Sequence, residues 1–159
     1  MKITVLAVGK IKEKYLTDAI AEYSKRLGRY CRLEIIQVQD EKDSDKPSEA
    51  VKKQILTKEA ARIAPHIKED SFVIALAING RQLSSEELAE KINSLGISGT
   101  SNITFIIGGS LGLSDDILKK ADMLLSFSKM TFPHQLMRVI LLEQIYRGYK
   151  IISGEPYHK

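Results

Sequence analysis

The sequence predicts an α/β protein with a mostly parallel sheet and helices on both faces of that sheet. Short apolar runs, typical of buried strands, alternate along the chain with longer segments of helical periodicity. The run over residues 71–78 is apolar without interruption, which indicates a central strand covered on both faces. The length of 159 residues is typical of one domain, so we expect a single domain over residues 1–159.

The amino-terminal half is predicted to contain two strands and two helices. A β-branched apolar strand over residues 2–8 ends at a glycine, and a second strand covers 33–38. A helix over about 14–27 lies between them, and another runs over 48–64, from a serine cap to a proline. The predicted apolar face of the first helix comprises Tyr15, Ala19, Ile20, Tyr23 and Leu27.

The following segments continue the alternation of strands and helices. Asn79-Gly80 is expected to turn the chain after the strand at 71–78. The spacing of Ser84 and Glu87 forms a capping box, which predicts a helix to about residue 95. A buried strand follows over 102–107.

The last predicted elements are a short helix capped by Ser114, a strand over 123–127 and a long helix that starts near Pro133. The apolar stripe of the long helix is expected to include Leu136 and Tyr146, with Arg138 and Arg147 off the stripe. The predicted stripe comprises Leu136, Val139, Ile140, Glu143 and Tyr146.

Charge and composition exclude several classes of protein. The net charge of +4 and the pI near 9.1 permit an RNA or phosphate-bearing partner without requiring one; Lys and Arg are densest over residues 2–14. The single cysteine, Cys31, allows no internal disulfide, and the three histidines lack metal-binding spacing, so we expect no metal. No apolar run is long enough for a signal peptide or a membrane span, so we expect a cytoplasmic protein.

Two loops are candidates for ligand binding. The glycine-rich stretch 108–113 follows a buried strand, but it lacks a Walker lysine and the dinucleotide fingerprint. Asp115 and Asp116 would repel a pyrophosphate, so a neutral or cationic ligand suits this loop better; a tight structural turn is the alternative. The second loop, within residues 126–138, lies between a strand end and a helix, where open α/β sheets bind ligands.

Several motifs, taken together, resemble one family along the whole chain. They are Val-Ile-Ala-Leu-Ala-Ile-Asn-Gly (73–80), Phe-Ile-Ile-Gly-Gly-Ser-Leu-Gly-Leu (105–113), Ser-Phe-Ser-Lys-Met-Thr-Phe-Pro-His-Gln-Leu-Met-Arg (126–138), Glu-Gln-Ile-Tyr-Arg (143–147) and Pro-Tyr-His-Lys (156–159). The sequence resembles the ribosomal RNA large subunit methyltransferase H family, the pseudouridine N3-methyltransferases of the SPOUT class.

The resemblance implies a carboxyl-terminal trefoil knot, S-adenosylmethionine as the cofactor, a homodimer whose two chains complete each site, and 23S rRNA of the ribosome as the partner. It also implies main-chain contacts to the cofactor at the ends of two strands and from the loop after the last strand. The implied cofactor-binding residues are Leu76, Gly108, Phe127, Ser128, Lys129, Met130, Thr131 and Phe132.

The candidate catalytic residues are Arg138, His134, Tyr157 and His158. Arg138 carries a permanent, rigid charge that could stabilise a developing anion, and His134 shares its helix face; a surface histidine and a salt bridge between subunits are the alternatives. Tyr157 could contact the base, and His158 could assist proton removal or contact RNA, although chain ends are often frayed.

Arg147 and Lys150 are further candidates, for contacts to phosphate groups. Two rival functions stay open at this point: a non-catalytic ribosome- or RNA-binding dimer that retains a cofactor-like pocket, and an α/β nucleotide-binding module.

Overall fold

The computed structural model describes residues 1–159 and contains one five-stranded sheet in which every pairing is parallel. The strands are β1 (Lys2–Val8), β2 (Arg32–Val38), β3 (Ser71–Gln82), β4 (Asn102–Ile107) and β5 (Met123–Ser126). They lie in the order β2-β1-β4-β3-β5, so β4, β1 and β3 are the inner strands. The predicted parallel α/β architecture is confirmed; the knot stays a prediction.

Four of the five α-helices connect successive strands, and the fifth follows the last strand. They are α1 (Lys14–Leu27), α2 (Glu49–Ile63), α3 (Ser85–Ile97), α4 (Asp115–Lys120) and α5 (His134–Ile152). A single 3₁₀ turn, Ala64–His66, extends α2 around Pro65. None of these helices combines the length and the apolar character that crossing a membrane requires.

The side chains of β1 show how the sheet separates two apolar layers. Ile3 and Val5 belong to a buried cluster with residues of α1, α3 and α5, whereas Leu6 packs with residues of α2 and α4. Because successive side chains of a strand point to opposite faces, this alternation places helices on both sides of the sheet.

The predicted caps are formed. The hydroxyl of Ser48 accepts the N–H of Val51, and that of Ser114 accepts the N–H of Ile117. Ser84 starts α3 with both hydrogen bonds of a capping box. Cys31 is half-buried, and burial raises the pKa of its thiol to about 11.

The turn predicted at Asn79-Gly80 is wrong, because β3 continues through it to Gln82. The pairing of β3 with β5 shifts register between Leu76 and Arg81, so the chain bulges here and then continues. A Cβ on Gly80 would lie 2.7 Å from the carbonyl carbon of Leu124. Glycine therefore permits a close approach to β5 at this position.

The predicted apolar faces of α1 and α5 are each wrong at one or more residues. Arg138 is 1% exposed, whereas Leu136 is 37% exposed, because α5 packs through a stripe displaced from the predicted one. Tyr146 is buried as predicted, and the buried stripe comprises Arg138, Leu141, Leu142, Ile145, Tyr146, Gly148 and Tyr149. Tyr15, in the first turn of α1, is 71% exposed because the packing of α1 begins only at Leu16.

Candidate functional site

A cavity of about 800 Å³ lies at the carboxyl edge of the sheet. Its walls come from the loop after β4, the bulged part of β3 around Leu76, the segment after β5, and the start of α5. More than half of its 21 lining residues are hydrophobic. This size, lining and position are typical of a binding site for a small molecule in an open α/β fold.

The glycine loop 108–113 is a tight turn and also a wall of the cavity. The N–H of Gly112 donates to the carbonyl of Gly109 at 3.0 Å, and Gly112 adopts a φ of +81°. A Cβ on Gly108 would overlap the carbonyl oxygen of Gly112. The alternative of a tight structural turn is therefore confirmed, and this turn also shapes the cavity wall; ligand binding by the loop stays a prediction.

The segment after β5 carries main-chain groups that no other main-chain group satisfies. No N–H of residues 127–132 donates to a main-chain carbonyl, and only that of Met130 has a partner within the chain, the hydroxyl of Ser128 at 3.0 Å. Ser126 is buried, and its hydroxyl donates to the carbonyl of Ser128 at 3.1 Å. The N–H groups of this segment can therefore donate hydrogen bonds to a ligand, while the hydroxyl of Ser126 holds the turn in place.

Most of the predicted cofactor-binding residues line this cavity. They are Leu76, Gly108, Phe127, Ser128, Met130, Thr131 and Phe132. Lys129 does not line it and is exposed. Leu76 was expected at a strand end, but it lies within β3 at the register shift, where the main chain leaves regular pairing.

His134 and Arg138 meet at Gly9, the residue that follows β1. His134 lines the cavity, and its Nε2 lies 3.6 Å from the position that a Cβ on Gly9 would occupy. The guanidinium of Arg138 donates to the carbonyl of Gly9 at 3.1 Å from a buried position one helical turn behind His134. Arg138 forms no salt bridge, and its Nε has no hydrogen-bond partner.

The two helix starts beside the cavity have opposite electrostatic character. Asp115 and Asp116 occupy the first turn of α4, directly after the glycine loop. The first turn of α5 contains no acidic residue, and the charge of Arg138 lies behind it. Partial burial, followed by the charge of Arg138, lowers the pKa of His134. Asp115, Asp116 and Arg138 do not line the cavity themselves, so their charges act on its contents from behind the walls.

The chain terminus is fixed against the far end of α5. The hydroxyl of Tyr157 donates to Glu143 Oε1 at 3.0 Å, and its ring lies edge-on to Tyr146 with centroids 4.9 Å apart. The ring of His158 lies between Glu86, at 2.7 Å, and Arg147, at 3.2 Å. The alternative of a frayed chain end is therefore wrong, since the last residues are held by side chains of two helices.

Within one chain, the last six residues, 154–159, which we call the tail, lie far from the cavity. His134 lines the cavity, whereas Tyr157 contacts Tyr146, twelve residues later in α5. At roughly 1.5 Å per residue, this separation is about 18 Å along the helix axis. The structure therefore groups His134 and Arg138 at one place and Tyr157 and His158 at another.

The sequence did not reveal the residues that hold the tail. Glu143 was expected in an apolar stripe, but its carboxylate accepts hydrogen bonds from Arg147 and Tyr157. Arg147 and Lys150, predicted phosphate contacts, are ion-paired with Glu143 and Glu155. The spacing of Glu143 and Arg147, four apart on a helix, was the available signal for their pairing.

Comparison with known proteins identifies the family. A family model described as "Predicted SPOUT methyltransferase" matches residues 1–158. The chain is 70% identical to a ribosomal RNA large subunit methyltransferase H of Bifidobacterium adolescentis and 62% identical to one of Clostridium novyi, and each alignment covers 100% of both chains.

A solved structure supports the fold. A probable methylase family protein from Haemophilus influenzae is 13% identical, with a TM-score of 0.52 over 99% of this chain and 70% of that one. The recognition made from the motifs is confirmed by the match over nearly the whole chain and by the identities to full-length relatives. The chain belongs to the SPOUT methyltransferase family, within the group of ribosomal RNA large subunit methyltransferases H.

Proposed function

We propose that this methyltransferase forms a homodimer and transfers a methyl group from S-adenosylmethionine to N3 of a pseudouridine in 23S rRNA, acting on the assembled ribosome. The names of the relatives support an rRNA substrate. The single observation that carries the proposal is the cavity at the carboxyl edge, which lies between an acidic and a basic helix start.

The residues present fit the cofactor. S-adenosylmethionine, when bound, supplies a methyl group on a positively charged sulfonium. The unpaired N–H groups of residues 127–132 would bind the polar edge of its adenine, and the apolar lining would cover the ring. The carboxylates of Asp115 and Asp116, at the start of α4, would favour the positive charge over a phosphate.

The basic side of the cavity would serve the methyl acceptor. N3 of pseudouridine is a weak nucleophile until it loses its proton, so the site must favour a negatively charged ring. The start of α5 and the buried charge of Arg138 supply positive potential there. The lowered pKa of His134 leaves its ring neutral at neutral pH, so a ring nitrogen could accept the proton.

The tail would act on the cavity of the other subunit. Tyr157 lies too far from the cavity of its own chain to touch a base there, yet it is fixed in place rather than frayed. Partial burial and the hydrogen bond to Glu143 raise its pKa to about 12, so the phenol would donate a hydrogen bond or stack on the base. His158, held beside it, would contact the RNA.

Two measurements test this proposal. Calorimetry should show heat on addition of S-adenosylmethionine, and the protein should then transfer the labelled methyl group to ribosomes, with the product located at N3 by mass spectrometry of the digested rRNA. Ribosomes with uridine in place of the pseudouridine are the matched control and should stay unlabelled. Cofactor binding without any transfer would favour the rival binding function, and no binding would contradict the proposal.

A further inference from the structure

A basic segment with one exposed aromatic side chain leaves the edge of the sheet beside the cavity. It comprises residues 10–15, which follow Gly9 and include the first two residues of α1. Lys10, Lys12 and Lys14 are all exposed, and Tyr15 is 71% exposed. We call residues 10–15 the Lys10–Tyr15 segment.

This segment is attached to the cavity through Gly9. The carbonyl of Gly9 accepts a hydrogen bond from Arg138, and His134, which lines the cavity, lies against Gly9. The point at which the segment begins is therefore fixed relative to the start of α5. A large substrate that presents one base to the cavity would pass close to these residues.

The charges of the segment are mostly unpaired. Lys14 forms a salt bridge with Asp18 at 2.6 Å, whereas Lys10 and Lys12 form none. Six lysines and arginines outside the segment form salt bridges, among them Arg147 and Lys150 at the end of α5, and the others do not. Glu13 is the only acidic residue within the segment, so it carries a net charge of +2 from three lysines and one glutamate. Unpaired lysines at such a rim suit the phosphates of a nucleic acid.

Tyr15 differs from the five tyrosines that follow it in the chain. Tyr23, Tyr30, Tyr146, Tyr149 and Tyr157 take part in aromatic pairs with one another. Tyr15 takes part in no aromatic or cation–π pair. An exposed ring that follows several lysines in the chain is a combination on which unpaired RNA bases stack while their phosphates are neutralised.

We infer that the Lys10–Tyr15 segment binds the rRNA strand next to the target nucleotide, with Lys10 and Lys12 on phosphates and Tyr15 stacked on an unpaired neighbouring base. The inference rests on the proposed function and adds to it the surface that holds the RNA. The segment supplies affinity and does not take part in methyl transfer itself.

The test compares a double variant, Lys10→Glu with Lys12→Glu, with a charge-matched control, Lys25→Glu with Lys68→Glu. Lys25 and Lys68 are exposed and lie at the amino edge of the sheet, one in the last turn of α1 and the other just before β3. The segment variant should raise the KM for ribosomes at least about tenfold and reduce its salt dependence, while the control stays near wild type. Affinity for S-adenosylmethionine should be unchanged in both.

Substitution of Tyr15 tests the stacking separately. Tyr15→Ala should raise the KM for ribosomes roughly tenfold with kcat unchanged, and Tyr15→Phe should restore it, because the ring and not the hydroxyl carries the contact. Unchanged KM values in the segment variants, or an equal rise in the control, would overturn the inference. Dissociation of the dimer in Tyr15→Ala would overturn it too, since the surface would then join two copies of the chain.

Failure of the proposed function gives a different result. In that case wild-type protein would transfer no methyl group to ribosomes, and the KM could not be measured. Direct binding to ribosomes, followed by sedimentation, would still compare the segment variant with its control. Weaker sedimentation of the segment variant alone would support the RNA surface, and equal sedimentation of both would overturn it.

Discussion

The two ends of α5 hold their arginines in opposite ways. At the start, Arg138 is buried with one hydrogen bond, to the carbonyl of Gly9, and no carboxylate. Near the end, Arg147 is paired with Glu143, lies over the ring of Tyr157 at 4.7 Å, and contacts His158. Burial of an unpaired charge costs free energy, so the start of α5 is the end that one chain leaves electrostatically incomplete.

The two arginines therefore indicate that the start of α5 serves binding and that its end serves to hold the structure together. The partners of Arg147 are all supplied by the same chain, so that network fixes the tail before any ligand arrives. The charge of Arg138 has no such partner and lies behind the cavity wall at His134. An anion on the substrate, or on the second subunit of the proposed dimer, would complete it.

The largest effect is expected from Gly108→Ala, which changes the wall of the cavity itself. The added Cβ would overlap the carbonyl oxygen of Gly112, so the loop must open. We expect calorimetry to show a loss of affinity for S-adenosylmethionine of at least about 100-fold, or 2.7 kcal/mol. Gly96→Ala in α3 is the control, because its Cβ would meet only the Met1 side chain at 3.5 Å. The control should bind normally and be slightly more stable. Normal affinity of Gly108→Ala for S-adenosylmethionine would show that the glycine loop is not part of the cofactor site.

Arg138→Met should affect activity far more than stability. The change removes one hydrogen bond, to Gly9, and also the cost of a buried charge, so these two effects offset each other. Methyl transfer should fall about 100-fold if the charge stabilises the anionic base. Arg147→Met should affect stability more than methyl transfer. Its free energy of unfolding should fall clearly, because Glu143 and Tyr157 would lose a partner. Unfolding curves and transfer rates check both variants, and similar profiles for the two would contradict the comparison.

A smaller effect is expected from the titration of the His134 ring, and it should depend specifically on Arg138. The folded-state pKa of His134 lies below the usual value, first because of burial and then because of Arg138. Its contribution to stability is therefore present above about pH 6.5 and is lost as the pH falls below that value. A ring titration by NMR should give a low pKa in wild type and a higher one in Arg138→Met. An unchanged value in that variant would mean that Arg138 does not act on His134.

The smallest effect is expected from Glu86→Gln near the end of α5. Glu86 is exposed and holds one nitrogen of His158, whose other nitrogen stays on Arg147. Because an exposed contact of this kind contributes little, melting temperature should barely change, and methyl transfer should fall only a few-fold. A complete loss of transfer would show that this contact has a direct part in the reaction.

Much of the fold could be predicted because local patterns and tertiary packing agree. The continuous apolar runs predicted inner strands, and the serines at 48, 84 and 114 predicted three helix starts. Asn79-Gly80 misled because the missing Cβ of Gly80 serves contact with β5 instead of a turn. The stripe of α5 was displaced because its first member is a charged residue, Arg138, which composition places outside the core.

The candidate site was predictable only in part for a related reason. Glycines after a buried strand and a proline before a helix are local signals, and both lie at the cavity. The contact of Arg138 with Gly9 joins residues 129 positions apart, and Glu86 lies 72 positions from His158. No local pattern specifies contacts at such separations.

The most direct test of the account uses mixed dimers. One subunit carries Gly108→Ala, which disables its cavity, and the other carries Tyr157→Ala, which disables its tail. If the tail of one subunit completes the cavity of the other, each purified mixed dimer contains one intact site and should show about half of wild-type methyl transfer, although both parent homodimers are inactive. A mixed dimer no more active than its parents would contradict the account, because each cavity would then require the tail of its own chain.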